Sequence, residues 1–403
     1  MNYDVIIIGG GAAGMMAAGI AAAKSDSVLL LEKNPILGKK LFLTGKGRCN
    51  LTNLTTVENL IAHTVVNGKF LRNAYFKFNA EDTVKFFEEL GLKTKIERGN
   101  RVFPKSDKSS DVIKYLKKYL IKNNIKIINQ AAVDVTKKDN LFVVELQKRK
   151  LFSHKLILAT GGRSYTLTGS TGDGHKFAEK FGHTIRQLKP SLVPIETIPA
   201  WNAVIDKLKL KNVKIKIIHH NKVVFKDFGE MEICGSTVSG PVILSASSYL
   251  KNVKNHQLII DLKPGLTEKQ LDERLIREFN QASQTKISKI LNRIIPLKLK
   301  PVMLELAGID PGEKCGEIAK SKRKQLGYSL KNLKVELSDF RSFDEAIITS
   351  GGICVDEIDP RTMESKIVKD LYFAGEIIDV DALTGGFNLQ IAWSTAYTAG
   401  VSC

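Results

Sequence analysis

Three glycines near the N-terminus have the spacing of a dinucleotide-binding turn. The run GGGAAG places Gly9, Gly11 and Gly14 in the arrangement G-x-G-x-x-G, directly after the apolar residues 5–8. The first glycine permits a tight turn, the second lets the backbone approach a pyrophosphate, and the third lets a helix pack closely on a strand. The predicted cofactor contacts in this turn are Gly9, Gly11, Ala12, Ala13 and Gly14.

A carboxylate stands at the end of the next predicted strand. Glu32 closes the stretch SVLLLE and lies 18 residues after Gly14. At this position a carboxylate accepts hydrogen bonds from both ribose hydroxyls of an adenosine, and it repels a 2′-phosphate. The sequence therefore predicts FAD or NAD rather than NADP, with Glu32 and the adjoining Lys33 in the site.

The C-terminal part of the chain distinguishes FAD from NAD. The stretch LYFAGE ends in Gly375 and Glu376, and a helix is predicted to start near Gly386. An NAD enzyme has no need of these features, whereas a flavin uses both. Its ribityl chain takes an acidic or polar partner, and a helix N-terminus stabilises the negative charge on its reduced pyrimidine edge. FAD is therefore the predicted cofactor.

The surrounding elements must bring these two ends of the chain together. Residues 5–8 and 27–32 read as buried parallel strands on either side of a helix at 12–23, which makes a βαβ unit. Helices, a β meander and a buried strand at 155–162 follow, and strand patterns return at 346–352 and 371–376. The motifs are thus predicted to lie at the ends of strands in one sheet.

The length of 403 residues is enough for about two or three domains. The predicted fold class is α/β, with a Rossmann-like FAD-binding domain that contains a parallel sheet and a β meander. This domain is discontinuous, formed by residues 1–190 and 345–403, and a β-barrel-like and helical domain is inserted at 191–344. Within the insertion we predict antiparallel β structure at 191–265 and mainly helical structure at 266–344.

The net charge of +19, from 61 basic and 42 acidic residues, favours encounter with anions. The lysines are dispersed and form no obvious stripe with aromatic residues, so a nucleic-acid partner is not predicted. Residues 207–226, KLKLKNVKIKIIHHNKVVFK, alternate polar and apolar side chains, as half-exposed antiparallel strands do. We assign these lysines to a solvated face, and an anion-docking surface is the alternative.

The remaining signals concern compartment and metals. Five widely spaced cysteines without a Cys-x-x-Cys predict reduced thiols and a cytoplasmic location. The apolar stretch at 5–23 lacks a basic segment before it, so we predict neither an export signal nor a membrane span, and the Asn-Leu-Thr triplets at Asn50 and Asn53 carry no sugar. The adjacent His219 and His220 have no ligand-spaced partner, so no metal is predicted.

Longer motifs resemble those of a bacterial NAD(P)/FAD-dependent oxidoreductase family, whose members include enzymes assigned as aminoacetone oxidase and as a bile-acid-pathway reductase. The resemblance covers most of residues 1–190 and 345–400 and is looser in the inserted region. The matching stretches are IIIGGGAAGMMAA, GKKLFLTGKGRCNLTN, RVFPKS, LATGGRSYTLTGSTGDGH, TSGGI and LYFAGEIIDVDALTGGFNLQIAWSTAYTAG.

The resemblance assigns the segment after the second strand to the underside of the cofactor. It implies that Lys40 and Arg48 neutralise the pyrophosphate and that nearby glycines, Gly45 and Gly47, allow close backbone approach. Cys49 and Asn50 are then expected near the isoalloxazine ring. No second cysteine lies close in sequence, so we interpret Cys49 as a packing residue rather than half of a dithiol relay.

The resemblance also places residues farther along the chain. It implies an adenine contact by the backbone of Val133 and a lining role for Thr160 and Gly161 at a strand end. The flavin contacts that it implies at the C-terminal end are Gly375, Glu376, Gly386, Asn388 and Leu389. Candidate residues for the substrate side are Arg101 to Pro104 and Ser350 to Gly352, and the catalytic candidates are Cys49, Asn50, Arg101 and Ser350.

The predicted function is an FAD-dependent oxidoreductase that transfers a hydride between flavin N5 and a small organic substrate. No second G-x-G-x-x-G follows a strand, so NAD(P)H is expected to visit the flavin transiently as electron donor. Two alternatives stay open. One is a flavoprotein that modifies tRNA, although the appended RNA-binding region of such enzymes is not expected here. The other is a flavin-bound redox sensor without turnover.

Overall fold

The computed structural model describes residues 2–403 and divides the chain into two compact units. Unit 1 comprises the residues up to Ser191 together with Ser342–Cys403, and unit 2 is Leu192–Arg341. The predicted junctions differ from these by one residue at the first boundary and three at the second. Each unit contains its own hydrophobic core.

The helices are α1 (Ala12–Ala21), α2 (Lys39–Gly47), α3 (Val57–His63), α4 (Arg72–Lys77), α5 (Ala80–Glu89), α6 (Ser109–Lys122), α7 (Asp173–Lys180), α8 (Pro241–Tyr249), α9 (Glu268–Gln281), α10 (Ile287–Ile290), α11 (Lys300–Ala307), α12 (Lys320–Lys331) and α13 (Phe387–Ser402). Short 3₁₀ helices lie at Gly68–Leu71, Thr166–Thr168, Trp201–Val204, Leu291–Arg293, Leu297–Leu299, Cys315–Glu317 and Val355–Glu357. Over residues 2–403, no helix has both the length and the apolar character required to cross a bilayer.

The strands are β1 (Asn2–Ile8), β2 (Val28–Leu31), β3 (Thr52–Asn53), β4 (Thr64–Val66), β5 (Thr94–Glu97), β6 (Arg101–Pro104), β7 (Lys126–Ile128), β8 (Asp134–Lys138), β9 (Leu141–Glu145), β10 (Lys150–Leu158), β11 (Ile185–Ser191), β12 (Ile195–Thr197), β13 (Leu208–His219), β14 (Lys222–Cys234), β15 (Thr237–Ser239), β16 (His256–Asp261), β17 (Leu333–Phe340), β18 (Ile348–Ile353), β19 (Leu371–Phe373) and β20 (Asp381–Ala382).

Within the described residues, unit 1 is built on a seven-stranded sheet in the order β7-β2-β1-β10-β9-β8, with β19 also paired to β10. β7, β2, β1, β10 and β19 are parallel neighbours, and β9 and β8 form an antiparallel meander. On the side away from β1, β10 pairs with two strands: residues 150–153 pair with β9 and residues 156–158 pair with β19. Helix-covered parallel strands explain the unbroken apolar runs of β1 and β2.

Local signals in the sequence account for where several helices start. Asn79 caps α5 in a capping box with Asp82, and Thr267 caps α9 in a capping box with Gln270. Three smaller sheets complete unit 1: the three-stranded β3-β6-β5 and the two-stranded β4-β20 and β11-β18.

Unit 2 contains a closed antiparallel barrel in the order β12-β15-β14-β13-β16-β17, closed by pairing between β17 and β12. The alternation predicted for residues 207–226 is present: Ile215 and Ile217 point inward and are buried, whereas Lys214 and Lys216 are exposed. Helices α8 to α12 pack with the barrel strands around a second core.

Two elements of unit 2 differ from the prediction. Part of the segment predicted as mainly helical forms β17, where Leu333, Val335 and Leu337 are buried at alternate positions and close the barrel. The segment predicted as antiparallel β contains the helix α8. This helix begins at Pro241, a residue type that suits the first turn of a helix. Packing inside the barrel outweighs the helical trend of the preceding residues, since only a strand can close the sheet.

The adjacent histidines have a third histidine beside them that the sequence did not reveal. His219 is the last residue of β13, and its ring stacks on that of His256 with centroids 4.1 Å apart. Sequence reasoning missed this pair because the barrel pairs the end of β13 with the start of β16. Among residues 2–403, no group of three or more His, Cys, Asp or Glu side chains is arranged to hold a metal ion.

Candidate dinucleotide-binding site

The predicted cofactor residues of unit 1 follow the carboxyl ends of its parallel strands. Gly9 follows β1, Glu32 follows β2, and Thr160 and Gly375 lie two residues after β10 and β19. Because these strands run parallel, their carboxyl ends meet at one edge of the sheet, where open α/β sheets bind ligands.

The glycine turn closes tightly around the start of α1. Gly9 has φ +112°, and a Cβ there would lie 2.4 Å from Ala159 O, so any side chain would clash with the adjoining strand end. A Cβ on Gly14 would lie 1.7 Å from Gly9 O. These contacts hold α1 against β1 and β10 and aim the helix N-terminus along the strand ends.

The N-terminus of α1 is open to a ligand. A Cβ built on Gly11 meets nothing within 4 Å in the described chain. No side chain caps the helix, and its first turn carries no acidic residue, so the N–H groups of Ala12 and Ala13 face this space without a competing anion. This is the arrangement of a pyrophosphate cradle.

Both oxygens of the Glu32 carboxylate are held by neighbours. Oε2 accepts from Gly10 N at 2.7 Å, and Oε1 accepts from Asn34 N at 2.8 Å and Asn34 Nδ2 at 2.6 Å. The carboxylate is therefore fixed beside the glycine turn. Lys33 points elsewhere: its Nζ donates to Asp173 Oδ2 at 2.7 Å and to Thr171 Oγ1 at 2.6 Å.

Glu376 lies in a hydrogen-bonded cluster with Lys40. Its Oε2 is 2.6 Å from Lys40 Nζ, which also donates to Ser164 Oγ at 2.6 Å. Its Oε1 accepts from Thr349 N at 2.7 Å. Lys40 is thus beside the strand-end carboxylate, and its contact with a pyrophosphate stays a prediction.

Helix α13 runs alongside α1 in the same direction. Gly375 N donates to Thr395 Oγ1 at 2.9 Å, and a Cβ on Gly375 would be 2.9 Å from Ala13 Cβ, which places Thr395 and Ala13 at one level. At the other end, a Cβ on Gly400 would be 2.8 Å from Ile20 Cβ. With a rise of about 1.5 Å per residue, the N-terminus of α13 lies about 10 Å beyond that of α1.

The N-terminus of α13 also lacks a side-chain cap. Gly386 precedes the helix with φ +102°, and a Cβ there would be 2.5 Å from the carbonyl carbon of Thr52. The Asn388 side chain is committed to the preceding turn, because Nδ2 donates to Ala382 O at 2.7 Å and Oδ1 accepts from Ala382 N at 2.9 Å. Backbone N–H groups at Asn388 and Leu389 are left to meet a ligand.

The C-terminal part of α2 and the residues after it make a compact loop beside α13. Thr44 to Lys46 interrupt the helical geometry, and Lys46 and Cys49 both have φ +59°. Cys49 is fully buried, and burial raises the pKa of its thiol to about 12. A thiol that stays protonated at neutral pH agrees with a packing role.

Arg48 has partners other than the predicted pyrophosphate. Its Nε is 2.8 Å from Asp107 Oδ1, and its Nη2 forms a second ion pair with Glu97. The guanidinium also lies over the Phe103 ring, with Cζ 4.1 Å from the centroid. Two nearby carboxylates satisfy this charge, so the structure gives Arg48 a role in holding the loop to β5 and β6.

Two buried oxygens test whether these residues suit a cofactor. Among the partners that residues 2–403 offer, Asn50 Oδ1 and Thr160 Oγ1 find none. Buried polar atoms are normally satisfied, and a polar cofactor beside these two atoms would supply the partners that they lack. Gly161, next to Thr160, has φ +74°, and a Cβ there would lie 3.7 Å from Ser170 Oγ and 4.0 Å from Glu376 Oε2, which are ordinary contact distances. The residues present therefore fit a polar cofactor along this edge.

Sequence reasoning missed the most perturbed acid of the site. Asp381, in β20, is 1% exposed, and its carboxylate accepts from Ser350 Oγ at 3.1 Å and Ser191 Oγ at 3.3 Å. Burial raises its pKa to about 7, against the effect of these two hydroxyls. Burial also raises the pKa of the neighbouring Asp379. The sequence carried a weak signal: two acids between a glycine-marked strand end and a helix start.

The structure brings some of the substrate-side candidates together. Ser350 Oγ donates a hydrogen bond to Asp381, and the N–H of the preceding Thr349 donates one to Glu376. β18 therefore lies next to the predicted cofactor residues of the C-terminal segment. Arg101 lies in β6, paired with Asn53 beside the turn that precedes α13. Its own Nε donates to the carbonyl of Arg98 at 3.0 Å.

Val133 lies apart from the catalytic candidates. It follows β7, is 62% exposed, and donates its N–H to Glu145 O at 2.7 Å. The same connection approaches the Glu32 turn, because Asn129 Nδ2 donates to Asn34 O at 2.8 Å. A backbone contact to adenine from this segment is still a prediction.

The family of the chain follows from the comparison of whole sequences. A family model described as the HI0933-like protein Rossmann domain matches residues 3–402. The chain belongs to this family. The HI0933-like chain is also 32% identical over 389 residues to the 3-dehydro-bile acid delta(4,6)-reductase of Clostridium scindens, covering 94% of each protein. The predicted resemblance, which included a bile-acid-pathway reductase, is confirmed.

Other similarities extend across the whole HI0933-like chain. It is 28% identical to the ribosomal RNA dihydrouridine synthase of Escherichia coli, covering 98% of this chain and 96% of that protein. Its fold is similar to that of 3-ketosteroid-delta4-(5alpha)-dehydrogenase from Rhodococcus jostii, with a TM-score of 0.52, 13% identity and coverage of 100% of this chain and 96% of that one. The predicted α/β class, with its inserted barrel and helices, is confirmed.

Proposed function

We propose that this chain is an FAD-dependent oxidoreductase that reduces a carbon–carbon double bond conjugated to a carbonyl group. One observation supports the assignment of FAD as cofactor: α1 and α13 are parallel, neither has a side-chain cap, and their N-termini are offset by about 10 Å. Each N-terminus favours negative charge. A flavin dinucleotide presents such charge twice, at its pyrophosphate and at the pyrimidine edge of its reduced ring, with a ribityl chain between them.

Residues of this chain are assigned along that axis. We assign the N–H groups of Ala12 and Ala13, beside Gly11, to the pyrophosphate. We assign the Glu32 carboxylate to the adenosine ribose. Glu376 and the unpaired Thr160 Oγ1 are assigned to the ribityl chain. The N–H groups at the start of α13 are assigned to the pyrimidine edge of the flavin ring. Lys40 offsets the charge of Glu376 at the centre of the site.

FAD, when bound, supplies hydride transfer through N5 of its ring. The chain orients the partners and holds the proton that the reaction also consumes. Asp381 suits that role, because a buried carboxyl with a pKa of about 7 keeps a proton at neutral pH and can release it. Ser350 Oγ, 3.1 Å from Asp381 Oδ1, extends the hydrogen-bonded path away from the buried acid.

The names of the relatives indicate the type of substrate bond. A 3-dehydro-bile acid delta(4,6)-reductase and a dihydrouridine synthase both add two hydrogens across a double bond conjugated to a carbonyl. In such a reduction the carbon β to the carbonyl receives the hydride and the α carbon receives the proton. We propose the same chemistry here, with a small conjugated ketone as substrate and NAD(P)H as the transient source of the hydride.

Uridine within RNA is a second candidate substrate. The observation that favours it is the match to ribosomal RNA dihydrouridine synthases over 98% of this chain. The bond reduced is of the same kind, so both candidates use one site and differ in what must dock beside it.

Anaerobic spectroscopy followed by turnover tests this function. We expect NADH or NADPH to bleach the visible flavin band, and a steroid 3-keto-4,6-diene to restore it. The matched control is the corresponding saturated 3-ketone, which should leave the flavin reduced. Restoration by neither the diene nor a uridine-containing RNA would contradict the proposed reductase. Turnover with either one excludes a redox sensor without catalysis.

A further inference from the structure

The outer face of the barrel in unit 2 carries a cluster of unpaired cations. Leu192–Arg341 contain 26 of the 61 basic residues but only 16 of the 42 acidic ones. Within that unit the long hairpin of β13 and β14 presents Lys214, Lys216 and Lys226 to solvent. Among residues 2–403, no carboxylate lies within ion-pairing distance of these three ammonium groups.

Strand register places these lysines on one face with an exposed ring. Lys214 pairs with Phe228 and Lys216 pairs with Lys226 across the hairpin, and directly paired residues share a face. The alternate residues Ile215 and Ile217 fill the barrel interior, so this face points outward. Phe228 is 58% exposed, which is unusual for a ring that could have packed inside.

The cationic face continues across the next strands. Lys216 pairs with Ile259, and Ile259 pairs with the exposed Lys334, so the row from Lys226 to Lys334 crosses four strands. With strands about 5 Å apart, these charges lie within about two Debye lengths at physiological salt and act together on a polyanion. Asp261, opposite Lys214, is already held by Lys331 Nζ at 2.8 Å.

We infer that this face, defined by Lys214, Lys216, Lys226, Phe228 and Lys334, binds RNA. Lysines supply the phosphate contacts, and the exposed ring of Phe228 supplies a surface on which a base stacks. An acidic protein or an anionic membrane would use the lysines but has no base to place on the ring. The aromatic side chain beside Lys214 and Lys226 therefore favours a single-stranded nucleic acid.

RNA binding here would bring a uridine-containing substrate to the protein, but it can be measured without turnover. The probe is a fluorescein-labelled single-stranded RNA of mixed sequence, titrated with the full-length holoprotein over a series of salt concentrations. The test variant is K214Q/K216Q/K226Q. The matched control is K251Q/K269Q/K289Q, which removes the same charge from exposed positions elsewhere in unit 2.

We expect the hairpin variant to bind at least tenfold more weakly and to lower the slope of log K against log salt by about 2, as three lost phosphate contacts require. The control variant should bind within threefold of the wild type. F228A should lose about fivefold or more while keeping the salt slope, because stacking involves no counterion release. Flavin content and melting temperature show that each variant is folded.

Several outcomes would overturn the inference. Equal losses in the hairpin and control variants would show a response to net charge alone. Unchanged binding by F228A would remove the base-stacking contact. Equal or tighter binding of polyglutamate, or of vesicles rich in phosphatidylserine, would assign the face to a different polyanion. Because flavin reduction by NAD(P)H is measured separately, none of these results depends on the proposed reductase.

Discussion

Lys40 and Glu376 lie 336 residues apart in the sequence and form an ion pair in which Nζ and Oε2 are 2.6 Å apart. Their side chains are 23% and 22% exposed, and Ser164 and Thr349 N–H complete the cluster. The pair joins the start of α2 to the end of β19. It therefore connects the two chain segments between which we propose that the flavin is held.

Breaking this pair should destabilise unit 1 more than removing both partners does. In K40M the half-buried carboxylate loses its cation, which costs about 1.5–3 kcal/mol, whereas K40M/E376Q removes the charge as well. Melting temperatures of the apoproteins measure the difference. The matched control is K85M, which breaks the exposed Lys85–Glu89 pair, where the side chains are 75% and 66% exposed and the expected loss is about 0.5 kcal/mol. A double variant less stable than K40M would contradict this expectation.

Replacing Glu32 by alanine should weaken FAD binding at least tenfold and also lower stability. The variant loses the predicted ribose contact, and it leaves the N–H of Gly10 without the acceptor now 2.7 Å away. An unsatisfied buried N–H costs about 1–3 kcal/mol. Quenching of flavin fluorescence gives the affinity, and E179A, at an exposed position of α7, serves as the control. Unchanged affinity in E32A would remove Glu32 from the cofactor site.

The cysteines should differ sharply in reactivity. Cys234 is exposed, whereas Cys49 is buried with a pKa raised by burial to about 12. With a disulfide reagent at pH 8, we expect Cys234 to react first and Cys49 to react only after unfolding. Peptide mass mapping after brief labelling identifies the modified thiol. Rapid labelling of Cys49 in the native protein, or loss of turnover in C49A, would argue for a redox role instead.

Asp381 should make the stability of unit 1 fall as the pH rises. Burial raises its folded-state pKa from 3.8 to about 7, so between these values the folded chain binds a proton that the unfolded chain releases. The unfolding free energy therefore decreases through this window, by up to about 4 kcal/mol. D381N cannot ionise and should lack that decrease.

Tryptophan fluorescence can follow this effect in one unit. A W201F background leaves Trp393, buried in α13, as the reporter. We expect the stability advantage of D381N over its parent to grow between pH 5 and pH 8. Asp379, whose pKa burial also raises, is present in both proteins, so the difference between them reports on Asp381 together with its interaction with Asp379. Parallel stability curves for the two proteins would contradict a buried, proton-holding Asp381.

The features predicted well are those written in short stretches of sequence. The glycine turn and the strand ending at Glu32 each depend on residues within one βαβ unit. The alternating lysines after residue 207 predicted their strands for the same reason. Their grouping with Phe228 on one face followed only from the register of β13 and β14.

The features missed depend on contacts between distant segments. Arg48 forms ion pairs with Glu97 and Asp107, which are 49 and 59 residues away in the sequence. No local sequence pattern predicts those ion pairs. Asp381 owes its raised pKa to burial against β18 and β11, which only tertiary packing produces. The strand β17 was not predicted within the mainly helical segment 266–344, because closing the barrel, rather than local propensity, decides its conformation.

The flavin content of the purified protein and of G11D tests the central claim most directly. Gly11 has φ −80° and ψ −166°, a conformation that aspartate adopts readily as a helix N-cap, so the variant should stay folded. Its carboxylate would occupy the open space assigned to the pyrophosphate and repel it. We expect the wild type to release FAD in a one-to-one ratio with the chain and G11D to release none at an unchanged or higher apoprotein melting temperature. FMN or no flavin in the wild type, or equal FAD in both proteins, would contradict the assignment.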